Sequence, residues 1–551
     1  MSPACPTPSP LRLLALIALA AGVAGLAPYA PSAPAARRDR LKLPPIVFVS
    51  RQPVPGDPFA VPGLGPHHRA VVTGGRLMLR EPDGSVRELV PGMFRDVAHP
   101  SVAPDGRRVL FSAAITPARR IDDEPFTIDD RRIRWAPAVL DLASGAVDTL
   151  RGTWSGSHIL HPSWINDSLF CFAIPLPVGR SQYGNVPVTQ IAIGTTTRRP
   201  WQGFIHLTSD RNGAESPAWD EKAGRIVYSR WWYNRWQSSD DSIGVTIDAG
   251  HAVPRDSVNL WQIVSIRPDG TDLRVEASGL ASRHESMGYQ PAILRDGSIA
   301  VTYATNLGLS PGPVSLGIQR YSPRLGRAHR LVGAIVEEGS GYASPRGLAA
   351  PSACAPAALP DGRIVFSYAP GARGDFGLFV MNRDGKRIEK VLDLPGSLEL
   401  DAVPVVARHA RPVLTVFSRP EPGAYTIASG TFRFDNVDVF GGGHARKGVA
   451  AAPPRTTGAR IRFWRTEPLA NVEGDSAILI REVPIRPDGS VDELLPADTP
   501  LFEQLIDAHG KVLRTADGPA HVAGYNWGRS GETVRCIGCH VGHSTVTVPK
   551  R

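Results

Sequence analysis

The chain has 551 residues, 42% of them hydrophobic, and sets 61 basic against 52 acidic side chains for a formal net charge of +9. That apolar content excludes a disordered chain, and five cysteines in such a length exclude a fold built on disulfides. The basic residues are spread along the sequence without a dense block of interleaved aromatics, so a nucleic-acid partner is not expected.

The first element is a leader. Arg12 precedes an apolar run from Leu13 to Ala27, and Ala33-Pro34-Ala35 offers a small-residue cleavage site. Residues 1–35 read as a secretory signal peptide, too short for a comfortable membrane span. The mature protein is then expected in the periplasm or another extracytoplasmic space, with no membrane span after cleavage. Cys171, Cys354, Cys536 and Cys539 remain after the leader is removed. Cys171 lies in "SLFCFAIP", a buried-strand pattern, and reads as a core thiol, with a Cys171–Cys354 bridge as the alternative.

With 55 Gly and 52 Pro, frequent turns between short strands are expected. "PPIVFVSR" is the first strand. A repeat follows: "HPSVAPDGRRVLFSA" from His99, "HPSWINDSLFCFAI" from His161, "ESPAWDEKAGRIVYSRW" from Glu215, "YQPAILRDGSIAVTYAT" from Tyr289, "CAPAALPDGRIVFSYAP" from Cys354 and a degraded "AVPVVARHARPVLTVFS" from Ala402. Each copy carries a proline (Pro100, Pro162, Pro217, Pro291, Pro356, Pro404), three of the six make an Asp-Gly turn, and each continues into a β-rich strand. Second hairpins such as "RLMLREPDGSVREL" and "LFVMNRDGKRIEKVL" lie between copies. Two hairpins make a four-stranded sheet that cannot cover its own faces, so the units must stack radially. The expectation over residues 44–430 is a six-bladed β-propeller, with "PPIVFVSR" closing the ring against the last blade or starting a seventh. The pattern resembles propeller repeats of the TolB type. Within it, "SRWWYNRW" (229–236) reads as aromatic and cation–π packing between blades, and His67, His68, His158 and His161 as surface or core residues without a third ligand.

Residues 431–455, rich in Gly, Pro and basic side chains, read as a linker, and 456–551 as a small β-sandwich-like domain with turns at Asp488-Gly489 and His509-Gly510. Its end carries "CIGCH". Two thiols three residues apart can form thioethers to the two vinyl groups of a haem, with the next histidine beneath the ring as an iron ligand. Cys536 and Cys539 are therefore the expected attachment points of haem c and His540 its proximal iron ligand. Export agrees, since c-type haem is attached outside the cytoplasm. Zinc is a second reading through Cys536, Cys539, His540 and His543, but adjacent residues must then ligate one ion with no second lobe to hold. A disulfide or redox-active CxxC is a third. The last methionine is Met381, in the propeller, so the distal iron ligand is expected from upstream: His521 first, with His509, His444 and Tyr525 as further candidates.

The order of exported propeller, β domain and motif, with "VPIRPDGSVDELLPADTPLFEQLIDAHGKVL" and then "GRSGETVRCIGCH", resembles the hydrazine synthase alpha subunit and its relatives. The resemblance implies an extracytoplasmic multidomain haem protein, with attachment at Cys536 and Cys539 and iron ligation by His540. Three functions are compatible with these features. One is a monohaem c-type cytochrome-like protein that transfers electrons to a redox partner protein docked on the propeller. The others are a haem enzyme of unknown reaction, and a propeller binding module with a structural haem or zinc.

Overall fold

The computed structural model describes residues 41–53, 74–115, 134–150, 158–182, 187–197, 204–234, 236–237, 245–246, 259–277, 287–304, 316–322, 327–333, 351–371, 374–409, 430–441, 452–468, 475–514 and 525–539. The leader 1–35 and the residues His67, His68, His444, His521, His540 and His543 lie outside them. Within the described residues all regular elements are strands.

The repeated segments form antiparallel four-stranded meanders. The strands Val97–Val102, Arg108–Ile115, Arg134–Asp141 and Val147–Thr149 make one sheet in chain order, and the pattern recurs from Leu160, Ala214, Met287 and Ser352. The meanders from Ala214 and Met287 are joined into one larger sheet by a single parallel pairing, Trp261 with Met287. The Asp-Gly turns form for a local reason. The Asp side chain accepts the backbone N–H two residues on, as at Asp105 to Arg107 (2.8 Å) and Asp361 to Arg363 (3.0 Å), while glycine takes a φ of 69° at Gly106 and 90° at Gly362.

Each repeat's first strand is kinked at one place. His99, His161, Ser216, Gln290, Ala355 and Asp401 all have φ between 49° and 55°, and pairing slips by a residue there. Five of the six precede the repeat proline. A left-handed non-glycine residue costs on the order of 1 kcal/mol, so the bulge persists only because its surroundings fix it. One such restraint is visible between neighbouring sheets. The Ala355 N–H donates to Gln290 Oε1 at 3.0 Å, and the His99 N–H donates to Asp401 Oδ2 at 3.4 Å.

The first strands touch in a closed circuit: Leu398–Pro404, Val97–Val102, Leu160–Trp164, Ala214–Asp220, Met287–Ile293, Ser352–Ala358 and back to Leu398–Pro404. This is the ring of a β-propeller. Ile46–Arg51 pairs antiparallel with both Leu398–Pro404 and Arg76–Arg80, so the start of the described chain completes the sheet that its later part begins. Of the two places expected for "PPIVFVSR", ring closure is the one observed. The second strand of the degraded copy, 411–418, lies outside the described residues.

The aromatics of "SRWWYNRW" pack mainly within their own meander rather than between blades, and the contact that reaches the next meander is Trp261 against Tyr289, centroids 4.8 Å apart. Trp231 stacks on Trp261 with centroids 5.5 Å apart, and the Arg230 guanidinium sits 4.4 Å from the Trp232 ring centroid. Cys171 and Cys354 are free, buried thiols, and burial pushes Cys171 up to about 12. They are core thiols, and the alternative bridge between them is not formed.

The second domain has two three-stranded sheets. Thr431–Asn436 is the middle strand of one, between Val491–Pro496 and Thr533–Cys536; Arg460–Pro468 is the middle strand of the other, between Asp475–Pro484 and Leu501–Ile506. Phe432, Phe434, Ile461, Phe463, Leu501 and Leu505 from both sheets share one core, which is the expected sandwich. The boundary differs from expectation. Thr431–Asn436, assigned by composition to the 431–455 linker, is a central strand, because Phe432 and Phe434 alternate inward.

Candidate functional site

Thr533–Cys536 runs parallel to Thr431–Asn436, bringing Cys536 opposite Asn436. Beyond the strand the chain turns at Gly538, whose φ of 77° glycine adopts without strain. The turn is pinned by its own backbone. The Gly538 N–H donates to the Asp438 carbonyl and the Cys539 N–H to the Val439 carbonyl, both at 2.7 Å, while Asn436 Nδ2 donates to the Gly538 carbonyl at 3.2 Å. Both thiols of the C-x-x-C are thus held on one rigid turn against the sandwich core. Cys539 is buried within it and Cys536 is half-buried beside Val534.

Neither cysteine forms a disulfide. Burial pushes their thiols well up, and the Glu503 carboxylate pushes the same way. A redox-active CxxC needs a lowered thiol pKa and a nearby positive field. Here the surroundings are apolar and acidic, which opposes thiol–disulfide exchange and the thiolates that zinc requires. Neutral thiols facing apolar walls do suit a hydrophobic group carrying vinyl carbons.

The sequence reading missed Glu503, the polar member of this core. Leu501, Glu503 and Leu505 share one face of Leu501–Ile506, and Leu501 and Leu505 lie in the same apolar cluster as Cys539. Glu503 is 1% exposed. Its Oε1 accepts a hydrogen bond from Asn526 Nδ2 at 2.9 Å, whereas its Oε2 is buried without a hydrogen-bond partner among the described residues. Burial raises this carboxyl to about 8, against a weaker opposing effect from the Asn526 bond. A polar atom orphaned in an apolar core beside two thiols fits a site shaped for a further group.

The candidate iron ligands fare differently. His540 and His521 lie outside the described residues. His509 is exposed in the turn after Ile506, where its N–H donates to Asp507 Oδ1 at 2.8 Å. Tyr525 is committed elsewhere: its hydroxyl receives Gln182 Nε2 at 2.8 Å and donates to Thr466 Oγ1 at 3.1 Å, at the join with the propeller. In this structure its hydroxyl therefore serves the join between the domains. His158 and His161 are buried, and the His161 ring lies 3.8 Å from that of His99 near the propeller axis.

The segment leading into the motif, "YNWGRSGE", fastens the two domains. Trp527 Nε1 donates to Asp210 Oδ1 at 3.0 Å, and Tyr228 and Arg230 of the propeller close on the same carboxylate at 3.3 and 3.7 Å. Burial raises Asp210 although Arg230 opposes it. Arg529 bonds Asp498 and the His206 carbonyl, and Glu532 Oε1 accepts the Asp272 N–H at 2.8 Å. Burial and the Arg529 charge lower His206 to about 4, so it is neutral here.

Residues 454–541 match the family model described as the hydrazine synthase alpha subunit middle domain, a span that includes Cys536, Cys539 and His540. The whole chain is similar in fold to the Kuenenia stuttgartiensis hydrazine synthase: TM-score 0.63 and 14% identity, covering 92% of this chain and 71% of that one. TolB from Acinetobacter baumannii aligns with TM-score 0.40 and 15% identity over 65% of this chain and 66% of its own. No curated protein matches the chain. The expected resemblance to the hydrazine synthase alpha subunit is thereby found in both sequence and fold. Among the described residues, no helix is long and apolar enough to cross a membrane.

Proposed function

We propose that the protein is an exported monohaem c-type protein that transfers electrons, with haem c held by the thioethers of Cys536 and Cys539. The observation that carries this reading is the pair of neutral thiols, neither in a disulfide, on one pinned turn, facing an apolar core that also holds a carboxyl oxygen without a hydrogen-bond partner among the described residues. His540, next in the chain, would hold the iron from one side, and His521 is the candidate for the other. Bound haem supplies one-electron exchange at its iron. The residues of the chain do the rest. Phe432, Phe434, Phe463 and Leu505 exclude water, the Gly538 turn sets the spacing of the two thiols, and Trp527 with Arg529 fixes the domain against the propeller.

In this reading the propeller has six blades, supported by the closed circuit of six first strands, and serves as the platform on which a redox partner protein docks. The leader 1–35 directs the chain to the periplasm or a similar compartment. The test is expression in a host with c-type haem maturation, followed by haem staining of a denatured gel and absorption spectra. A stained band with a low-spin spectrum insensitive to carbon monoxide supports electron transfer. A stained band whose spectrum shifts with carbon monoxide favours the haem enzyme, and an unstained band returns the motif to zinc or a disulfide.

A further inference from the structure

Other strand-borne carboxylates of the second domain pair with arginines. Arg433 bonds Asp492, Arg481 bonds Glu493, Arg460 and Arg462 bond Glu482, and Arg535 bonds Asp435. Glu503 has no such cation among the described residues, and it is the most buried of the set. An unpaired carboxyl in an apolar core costs several kcal/mol. Leucine would fill this place without that cost, since Leu501 and Leu505 flank it on the same face. Its Oε2 is buried without a hydrogen-bond partner among the described residues, and both motif thiols feel its charge.

We propose that Glu503 is the hydrogen-bonding and proton-exchanging residue of the Cys536–Cys539 site, contacting through Oε2 the group those cysteines hold. This rests on the haem reading above. The coupling follows from charge. Reduction of a haem held there would remove one positive charge from the site, and the Glu503 carboxylate would take one proton from solvent; oxidation would return both. The carboxyl's raised value of about 8 places this exchange near neutrality. On the paired strand its neighbour is Phe463, and from the 525–527 segment comes Asn526. Asp435, on the strand beside Cys536, alternates with the inward Phe434 and is tied through Oδ2 to Arg535 at 2.9 Å. Cys536 and Cys539 no longer titrate once they are thioethers.

The test is a spectroelectrochemical titration of the haem-loaded full chain, with dithionite as reductant, from about pH 5 to about pH 10. The wild-type potential should fall with rising pH, with a slope approaching about 59 mV per pH unit for one proton per electron. Glu503→Gln should stain for haem as the wild type does and lose that slope. Asn526→Ala, which removes the donor to Oε1, should move the sloping window to higher pH. A Glu503→Gln slope equal to wild type, or an Asn526→Ala window unmoved, overturns the proposal while leaving the haem reading intact. A wild type without stained haem overturns both.

Discussion

A thiol is useful as a nucleophile or metal ligand only where its surroundings favour thiolate, and Cys536 and Cys539 sit where they do not. The same logic gives Glu503 a measurable signature even without cofactor. Its folded value of about 8 exceeds an ordinary carboxyl's, so the native state binds a proton that the unfolded state releases. Its stabilising contribution is complete below the unfolded value, near about 4.3, and is lost as pH rises through about 8. Urea unfolding of haem-free protein should therefore show the wild type losing stability relative to Glu503→Gln between about pH 5 and about pH 9, on the order of a few kcal/mol. Equal pH dependence of the two would contradict the burial argument. At the domain join, Trp527→Phe removes one of the donors to a buried carboxylate and should cost about 1–3 kcal/mol, read as a lowered denaturation midpoint.

At the scale of strands and turns, much was legible because the causes are local. Asp-Gly turns follow from Asx hydrogen bonding and glycine's positive φ, so the hairpins from Asp105 to Asp384 could be placed by sequence. The bulge before the repeat prolines could not, since nothing in "HPSV" or "YQPA" announces a left-handed His99 or Gln290; the neighbouring sheet enforces it. Thr431–Asn436 was hidden by the glycines of 441–443, whose composition outweighed the short Phe-x-Phe alternation. Glu503 was hidden for a different reason. "LFEQLI" carries one polar residue on each face, and both faces are buried, so period-two reading assigns neither side to solvent. The bulge carries its own prediction. Ala355→Gly relieves a left-handed alanine and should raise stability by about 0.5–1 kcal/mol, whereas a loss would mean that the turn is not strained.

For the whole molecule, two features tie distant parts of the chain: Ile46–Arg51 closing the ring against Leu398–Pro404, and Trp527, Arg529 and Glu532 locking the second domain to the propeller. Removing residues 41–51 opens an edge along Leu398–Pro404, and the propeller should lose its cooperative thermal transition; an unchanged transition would contradict ring closure. The lock also explains why the motif segment was only partly readable. Its cysteines announce themselves by spacing, whereas Asp210 and Asp272, which orient the segment, lie some three hundred residues earlier in sequence, within "TSDRN" and "GTDLR". The account stands or falls on what Cys536 and Cys539 hold. The most direct measurement is the intact mass of the purified chain, matured in a host that attaches c-type haem, beside Cys536→Ala/Cys539→Ala. The account predicts one added haem on the wild type and none on the variant. A wild-type mass without haem, or a haem retained by the variant, would contradict it.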